Sequence, residues 1–227
     1  MMSSAFALVL VLALHPQVAT SPKAVTPAAP TAPTPVALDP NAAPAKPARI
    51  ALGATAPGGS RELSGVDGKS VKLDDISTAK GLLVVFTCNH CPYVKSWQDR
   101  MVDLGNAAVK KGIGVVFVNS NDPQIVPGDD MKGMKELATA KKYGFPYVAD
   151  AGAVMAVAFG ATRTPEVFLF DADGKLAYHG TIDDNSQDAK AVKTRFLADA
   201  IGAVAAGKAV TTQETKAIGC SIKFPKA

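Results

Sequence analysis

Six residues, Gly81-Leu82-Leu83-Val84-Val85-Phe86, run without a polar interruption into Thr87-Cys88-Asn89-His90-Cys91-Pro92. An apolar run with no alternation is the pattern of a strand covered on both faces. A sheet built on such a strand needs helices above and below it. The next segment supplies the first. Pro92 suits an opening helical turn, where a missing N–H costs nothing. Val94, Trp97, Met101, Leu104 and Ala108 follow at spacings of three, four, three and four, which makes one apolar face. The spacing predicts a helix over 91–110.

The rest of the chain alternates in the same way. Val66-Asp67-Gly68-Lys69 is a turn signal between short strands at 61–64 and 70–73. A second buried strand fits 113–118, and 119–130 is a loop rich in Asn, Asp, Pro and Gly. A helix is expected over 130–142, with Met131, Met134, Leu137 and Ala138 inward. A short strand follows at 145–148 and a short helix at 153–159. Strands at 166–170 and 176–179 bracket Asp171-Ala172-Asp173-Gly174. The last helix is expected over 189–206, with Val192, Phe196, Ala200 and Val204 on one face and Gly207 as its stop. The tail 208–227 holds Cys220. This order predicts an α/β sandwich with a mixed central sheet and an N-terminal β-hairpin extension.

Composition bounds what such a fold is for. With 48% hydrophobic residues in 227, the chain is not wholly disordered. A net charge of +4 without clustered Lys and Arg argues against a nucleic-acid partner. The pairs Lys110-Lys111 and Lys141-Lys142 fall on helix faces turned to water. The N-terminus reads differently from the middle. Residues 5–14 are an apolar run, shorter than the roughly 20 residues a membrane span takes. With the break at His15-Pro16 and small residues at Val18, Ala19 and Thr20, residues 1–20 read as a signal peptide or, uncleaved, as a membrane anchor. No Lys or Arg precedes the run. Residues 21–48, mostly Pro, Ala and Thr, read as an extended linker. The folded domain is then 49–227, placed outside the cytoplasm in a bacterial periplasm or secreted. Contact with a membrane is expected only through the N-terminal segment.

Three cysteines are too few for a disulfide scaffold, and the odd count leaves one over. Cys88 and Cys91 are the informative pair. Residues three apart on a helical turn lie about 5–6 Å apart, within reach of a disulfide. Free N–H groups and the positive dipole end at a helix start stabilise a thiolate, which is the attacking species. Cys88, ahead of the helix, is expected to be the more exposed thiol and the nucleophile. Cys91, one turn in, is expected to be more buried and to resolve a mixed disulfide. His90 adds positive charge when protonated and so tunes the pair. A structural zinc site needs four ligands, and few others are on offer. A static disulfide closing so short a ring is a poor staple. Thr164-Pro165 opens a central strand, a position that calls for a cis bond or an ordinary strand-start proline. With a cis bond, the Thr164 backbone would face outward beside the thiols and pair with a substrate strand. Cys220 reads as a third thiol reaching the pair, a soft-metal ligand, a small buried residue or one half of an intermolecular disulfide. His179 reads as a structural hydrogen-bonding residue.

Several segments carry a family resemblance together: Phe86-Thr87-Cys88-Asn89-His90-Cys91-Pro92-Tyr93-Val94-Lys95, Asn119-Ser120-Asn121-Asp122-Pro123, Gly160 through Asp171, Tyr178-His179-Gly180 and Gly219-Cys220-Ser221-Ile222-Lys223. From about Ile50 onward the chain resembles the thioredoxin superfamily. It is most similar to the redoxin branch, grouped with alkyl hydroperoxide reductase and thiol-specific antioxidant proteins. The resemblance implies a thioredoxin-like three-layer sandwich, a reversible dithiol at Cys88 and Cys91, and a cis-proline at Pro165. Three departures stand out. Thr87 and Asn89-His90 replace the Trp and Gly-Pro of thioredoxin. Leu82 holds the place of its buried Asp. Gly81 and Val85 stand where peroxiredoxins carry the Pro and Thr of Pro-x-x-x-Thr-x-x-Cys. The expected activity is thiol–disulfide oxidoreduction with thiol or disulfide proteins as partners and no cofactor. A thiol-dependent peroxidase acting on peroxide is the alternative, and a copper or zinc carrier a further one.

Overall fold

The computed structural model describes residues 48–226, so the signal or anchor at 1–20 and all but the last residue of the linker at 21–48 lie outside the described residues. A β-hairpin comes first, β1 (Leu63–Gly65) and β2 (Ser70–Val71), turning through Gly68 at a positive φ of 82°. A single turn, α1 (Leu73–Ile76), leads to β3 (Leu82–Thr87), α2 (Pro92–Lys110) and β4 (Gly114–Asn119). Next come α3 (Met131–Ala140), β5 (Tyr147–Ala149) and α4 (Val154–Phe159). The last part holds β6 (Arg163–Thr164), β7 (Glu166–Phe170), β8 (Leu176–Gly180), α5 (Phe196–Ala205) and β9 (Cys220–Ser221).

Seven strands form one mixed sheet in the order β2-β1-β5-β4-β3-β7-β8. β4 runs parallel to β3 and to β5, while β7 lies antiparallel on the other side of β3. The expected hairpin extends the β5 edge. Every residue of β3 is buried, as its unbroken apolar run requires. Its side chains alternate between two cores. Leu83 and Val85 pack with Trp97, Met101 and Phe117 on the side of α2, α3 and α5. Leu82, Val84 and Phe86 pack with Met155, Phe159 and Phe168 on the side of α1 and α4. Phe86, Phe159 and Phe168 meet edge to face with ring centres 5.2–5.7 Å apart, each pair worth about 0.5–1.5 kcal/mol beyond its burial.

Two expectations about helices need correction. The last helix begins at Phe196 rather than 189; only a 3₁₀ turn spans Ala189–Ala191. The chain is extended at Val192, and both carboxylate oxygens of Asp184 take up the Lys193 and Thr194 N–H groups at 3.0 Å. Those amides therefore have a partner outside any helix. In α3, Met134 and Ala138 are buried as expected, but Met131 is exposed. Asp130 caps this helix through the Gly133 N–H at 2.7 Å, which leaves Met131 at the first position, beyond the sheet.

Candidate active site

The loops leaving β3 and β4 lie side by side because the two strands are parallel neighbours, and sites gather at the carboxyl ends of such strands. Cys88 follows the last residue of β3. α2 begins at Pro92, so Cys91 is its N-cap and Cys88 stands three residues ahead of the cap. Both thiols sit against one residue. The Cys88 sulfur is 3.3 Å from the Thr164 hydroxyl, and the Cys91 sulfur is 3.2 Å from the Thr164 carbonyl oxygen. The Thr164–Pro165 bond is cis, as expected.

The expected difference in exposure between the two thiols is absent. Cys88 is 1% exposed and Cys91 2%. The reason is that Cys91 sits at the cap rather than one turn inside the helix, while the end of β3 carries Cys88 into the core. The helix-start argument therefore applies to Cys91. Its thiol is lowered to about 4, first by the Cys88 thiol beside it, against the cost of burial, and further by the Cys220 thiol and the Val94 amide. Cys88 moves the other way. Donation to Cys91, burial and the nearby Asp129 carboxylate all raise it. In the dithiol form the negative charge rests on Cys91, and the proton left in the pair stays on Cys88.

Asp129 was not singled out from the sequence, and it organises the mouth of the site. Its side chain is fully buried. Oδ1 accepts the Asn89 N–H at 2.7 Å and lies 3.1 Å from His90 Nδ1. Oδ2 accepts from Asn121 at 2.6 Å. Asn89 in turn donates to the Gly128 carbonyl at 2.7 Å and accepts from the Tyr147 hydroxyl at 2.9 Å. The Cys-Asn-His-Cys loop is thus tied to the 127–129 turn by side chains from three segments. His90 is the outermost member, with 43% of its side chain exposed. One signal for Asp129 existed: the Asn- and Asp-rich loop leaves β4, the strand parallel to β3.

Thr164 has the place foreseen for it, but its backbone is not free. β9 pairs antiparallel with β6, setting Cys220 opposite Thr164 and Ser221 opposite Arg163. The chain's own C-terminal strand lies where a substrate strand was expected. Behind β6, the buried Glu166 carboxylate accepts the Thr162 and Arg163 N–H groups at 2.8 and 3.0 Å. Its other oxygen meets His179 Nε2 at 2.8 Å, and Arg49 approaches His179 Nδ1 at 2.6 Å. An Arg N–H on Nδ1 leaves the ring proton on Nε2, pointing at Glu166. His179 is therefore a brace for the strand before Pro165.

Among the described residues, Cys88, His90 and Asp129 each offer a ligand atom within 4.8 Å of the others. Cys91 and Cys220 are not part of that group.

A model of the Redoxin family matches residues 51–195. No curated protein matches the chain significantly. The fold is similar to the crystal structure of a hypothetical protein from Sinorhizobium meliloti 1021, with a TM-score of 0.73 and 34% identity over 79% of this chain and 98% of that one. An uncharacterized conserved protein from Geobacillus kaustophilus matches with a TM-score of 0.72 and 35% identity, over 78% and 94% of the two chains. A thioredoxin-like protein in its oxidized form, seen in solution, shares the fold at a TM-score of 0.52 and 19% identity, over 69% and 97%.

Proposed function

We propose that this chain, which belongs to the Redoxin family, is a thiol–disulfide oxidoreductase working through a reversible bond between Cys88 and Cys91. One observation carries the reading: both sulfurs contact Thr164, one its hydroxyl and one its carbonyl, with Cys91 at the start of a 19-residue helix. In the disulfide form, a partner thiolate attacks Cys88. The Cys88–Cys91 bond breaks and Cys91 leaves as a thiolate. A second partner thiol then attacks the mixed disulfide and releases Cys88. Two partner thiols become one disulfide, and the protein ends as the dithiol. A sulfur stabilised as thiolate is a good leaving group and favours the reduced state, so the pair is poised as an oxidant. His90 and Asp129 adjust that poise from the Cys88 side. Both sulfurs are buried, so a partner reaches Cys88 by local opening of the segments above it.

The peroxidase alternative has less support. A peroxidatic thiol must be a thiolate, and Cys88 is pushed the other way. The metal-carrier alternative has one observation in its favour, the Cys88, His90 and Asp129 cluster. Asp129 already gives both oxygens to Asn89 and Asn121, and among the described residues Cys91 and Cys220, the other ligands such a carrier would use, do not join Cys88 and His90 in that cluster, which leaves two ligands where a closed metal site needs more. Tight binding of Cu(I) in an anaerobic titration would revive it. Extracytoplasmic placement is part of the proposal and rests on the sequence of residues 1–48.

Turnover with a dithiol substrate tests the reading. The Cys88→Ser protein is expected to lose activity, and Cys91→Ser to accumulate mixed disulfides with its partners. Full turnover by Cys88→Ser refutes the assigned role.

A further inference from the structure

We propose that Cys220 is a third redox cysteine of this site, held by β9 as an internal substrate strand, and that its thiol exchanges with the Cys88–Cys91 disulfide at Cys91. The inference rests on the dithiol reading above, because it needs that disulfide to exchange with.

The placement is fixed from both sides. β9 occupies the backbone edge of β6, and the next residue extends the pairing, with the Ile222 N–H on the Thr162 carbonyl at 3.0 Å. Arg163 donates to the Gly219 carbonyl at 2.8 Å. Gly219 lies so close to the Thr164 carbonyl and the Pro165 nitrogen that no Cβ fits there. Further on, the Lys223 N–H donates to Asn121 Oδ1 at 2.7 Å, and the Lys223 carbonyl accepts from the Asp122 N–H at 2.8 Å. A slip of one residue would turn Cys220 to the opposite face. In the register observed, its half-buried side chain packs onto the core cluster that contains Cys88 and Cys91.

Its register points to the sulfur it meets. Cys220 pairs with Thr164, whose carbonyl oxygen is 3.2 Å from the Cys91 sulfur, and the Cys220 thiol and amide help to lower Cys91, whereas Cys88 is raised by Cys91, burial and Asp129 with no contribution from Cys220. A partner protein would have to offer what β9 already offers: a strand beside Pro165 with a cysteine over the dithiol. This is strand addition to a sheet edge, supplied by the same chain.

The exchange balances without an outside reagent. The Cys220 thiolate attacks the Cys91 sulfur, a Cys91–Cys220 bond forms, and the Cys88–Cys91 bond breaks. Cys88 leaves with the electron pair and takes up the proton that Cys220 gave up. One disulfide exists before and after. In the dithiol form Cys220 is held protonated, pushed up to about 11 by burial and by the Cys91 sulfur facing it. Once Cys91 is in a disulfide it carries no charge, so the part of the rise that Cys91 causes ends; burial still favours the thiol, and Lys223 and Arg163 favour the thiolate. Cys220 is thus more readily deprotonated in the oxidation state that gives it something to attack than in the dithiol form. The product leaves Cys88 free beside His90 and Asp129.

Disulfide mapping of the full chain tests this. Trypsin cuts after Lys80 and Lys95 and after Lys216 and Lys223, so Cys88 and Cys91 share one peptide and Cys220 lies in another. Protein is oxidised with diamide, quenched in acid, blocked with N-ethylmaleimide and digested. Wild-type protein is expected to yield both the internal Cys88–Cys91 disulfide and a cross-linked peptide pair, with fragmentation placing the cross-link on Cys91 and the blocking group on Cys88. Monomeric Cys88→Ser is expected to carry the cross-linked pair as its disulfide, and Cys220→Ser only the internal one. A wild-type digest with the internal disulfide alone, together with two free thiols in oxidised Cys88→Ser, overturns the role of Cys220 and leaves the dithiol intact. If neither wild type nor Cys220→Ser forms the internal disulfide, the dithiol reading fails and the exchange fails with it.

Discussion

Replacing Asp129 by Asn should make the dithiol a stronger oxidant. The carboxylate is buried, and its oxygen lies within 4.8 Å of the Cys88 sulfur. At that distance and an effective dielectric of about 20, two unit charges interact by about 3.5 kcal/mol. The disulfide carries no charge and does not feel this repulsion; the dithiol carries one thiolate and does. Removing the carboxylate charge therefore stabilises the reduced form and raises the potential. For a two-electron couple about 1.4 kcal/mol corresponds to 30 mV, so the ceiling is about 75 mV. The thiolate rests on Cys91, farther off than Cys88, and a rise of about 30 mV is expected. The measurement is equilibration with glutathione buffers, acid quench, alkylation and intact mass, in a Cys220→Ser background so that only two thiols titrate. All samples are compared at one pH and ionic strength. Near-ultraviolet circular dichroism confirms that the variant is folded. An unchanged or more negative potential in folded protein would show that Asp129 does not act on the pair electrostatically.

Two further outcomes follow from the same geometry. Cys91, lowered to about 4 from an ordinary 9.0, stabilises the reduced fold fully above pH 9 and loses that contribution as pH falls toward 4. Cys88 and Cys220 are raised, so their contributions are lost only above pH 9. The urea midpoint of reduced protein should therefore fall more steeply between pH 8 and pH 5 than that of oxidised protein, which lacks the thiolate; parallel profiles would contradict the assignment of charge to Cys91. At Thr87, the hydroxyl is buried and has no hydrogen-bond partner. Thr87→Val keeps the shape and removes the orphaned group, so a gain of about 1 kcal/mol is expected, or a thermal midpoint roughly 2–4 °C higher; a lower midpoint would mean that the hydroxyl is satisfied.

The legible part of this fold is the part written in local pattern. β3 and β4 could be read because both faces of each are covered and no polar residue interrupts them. α2 was legible for the opposite reason: Trp97 and Met101 recur on one side while Lys110 and Lys111 take the other. α5 misled because Val192 and Phe196 share a helical spacing by accident. Two amides between them belong to Asp184, nine and ten residues earlier, and no periodicity reports a side chain's distant obligations. The cysteine pair and Pro165 were legible as short motifs. Asp129 was not, because a buried carboxylate in an Asn- and Asp-rich loop looks like any turn until parallel strands bring that loop against another.

Cys220 shows where reading residue types one by one stops. Its thiol gains meaning only from its register against Thr164, and that register depends on Gly219, Arg163 and Asn121, three residues with no redox chemistry of their own. The expectation of an open substrate edge and the finding of a closed one share one cause. An unpaired edge of backbone N–H and C=O groups beside a reactive sulfur is a template for any passing strand. The fold meets that hazard by pairing the edge with a strand of its own, and because that strand carries a thiol, closing the edge also adds a sulfur to the site. Any partner that docks at Pro165 must therefore displace β9, two residues long, before it can reach the dithiol by that route.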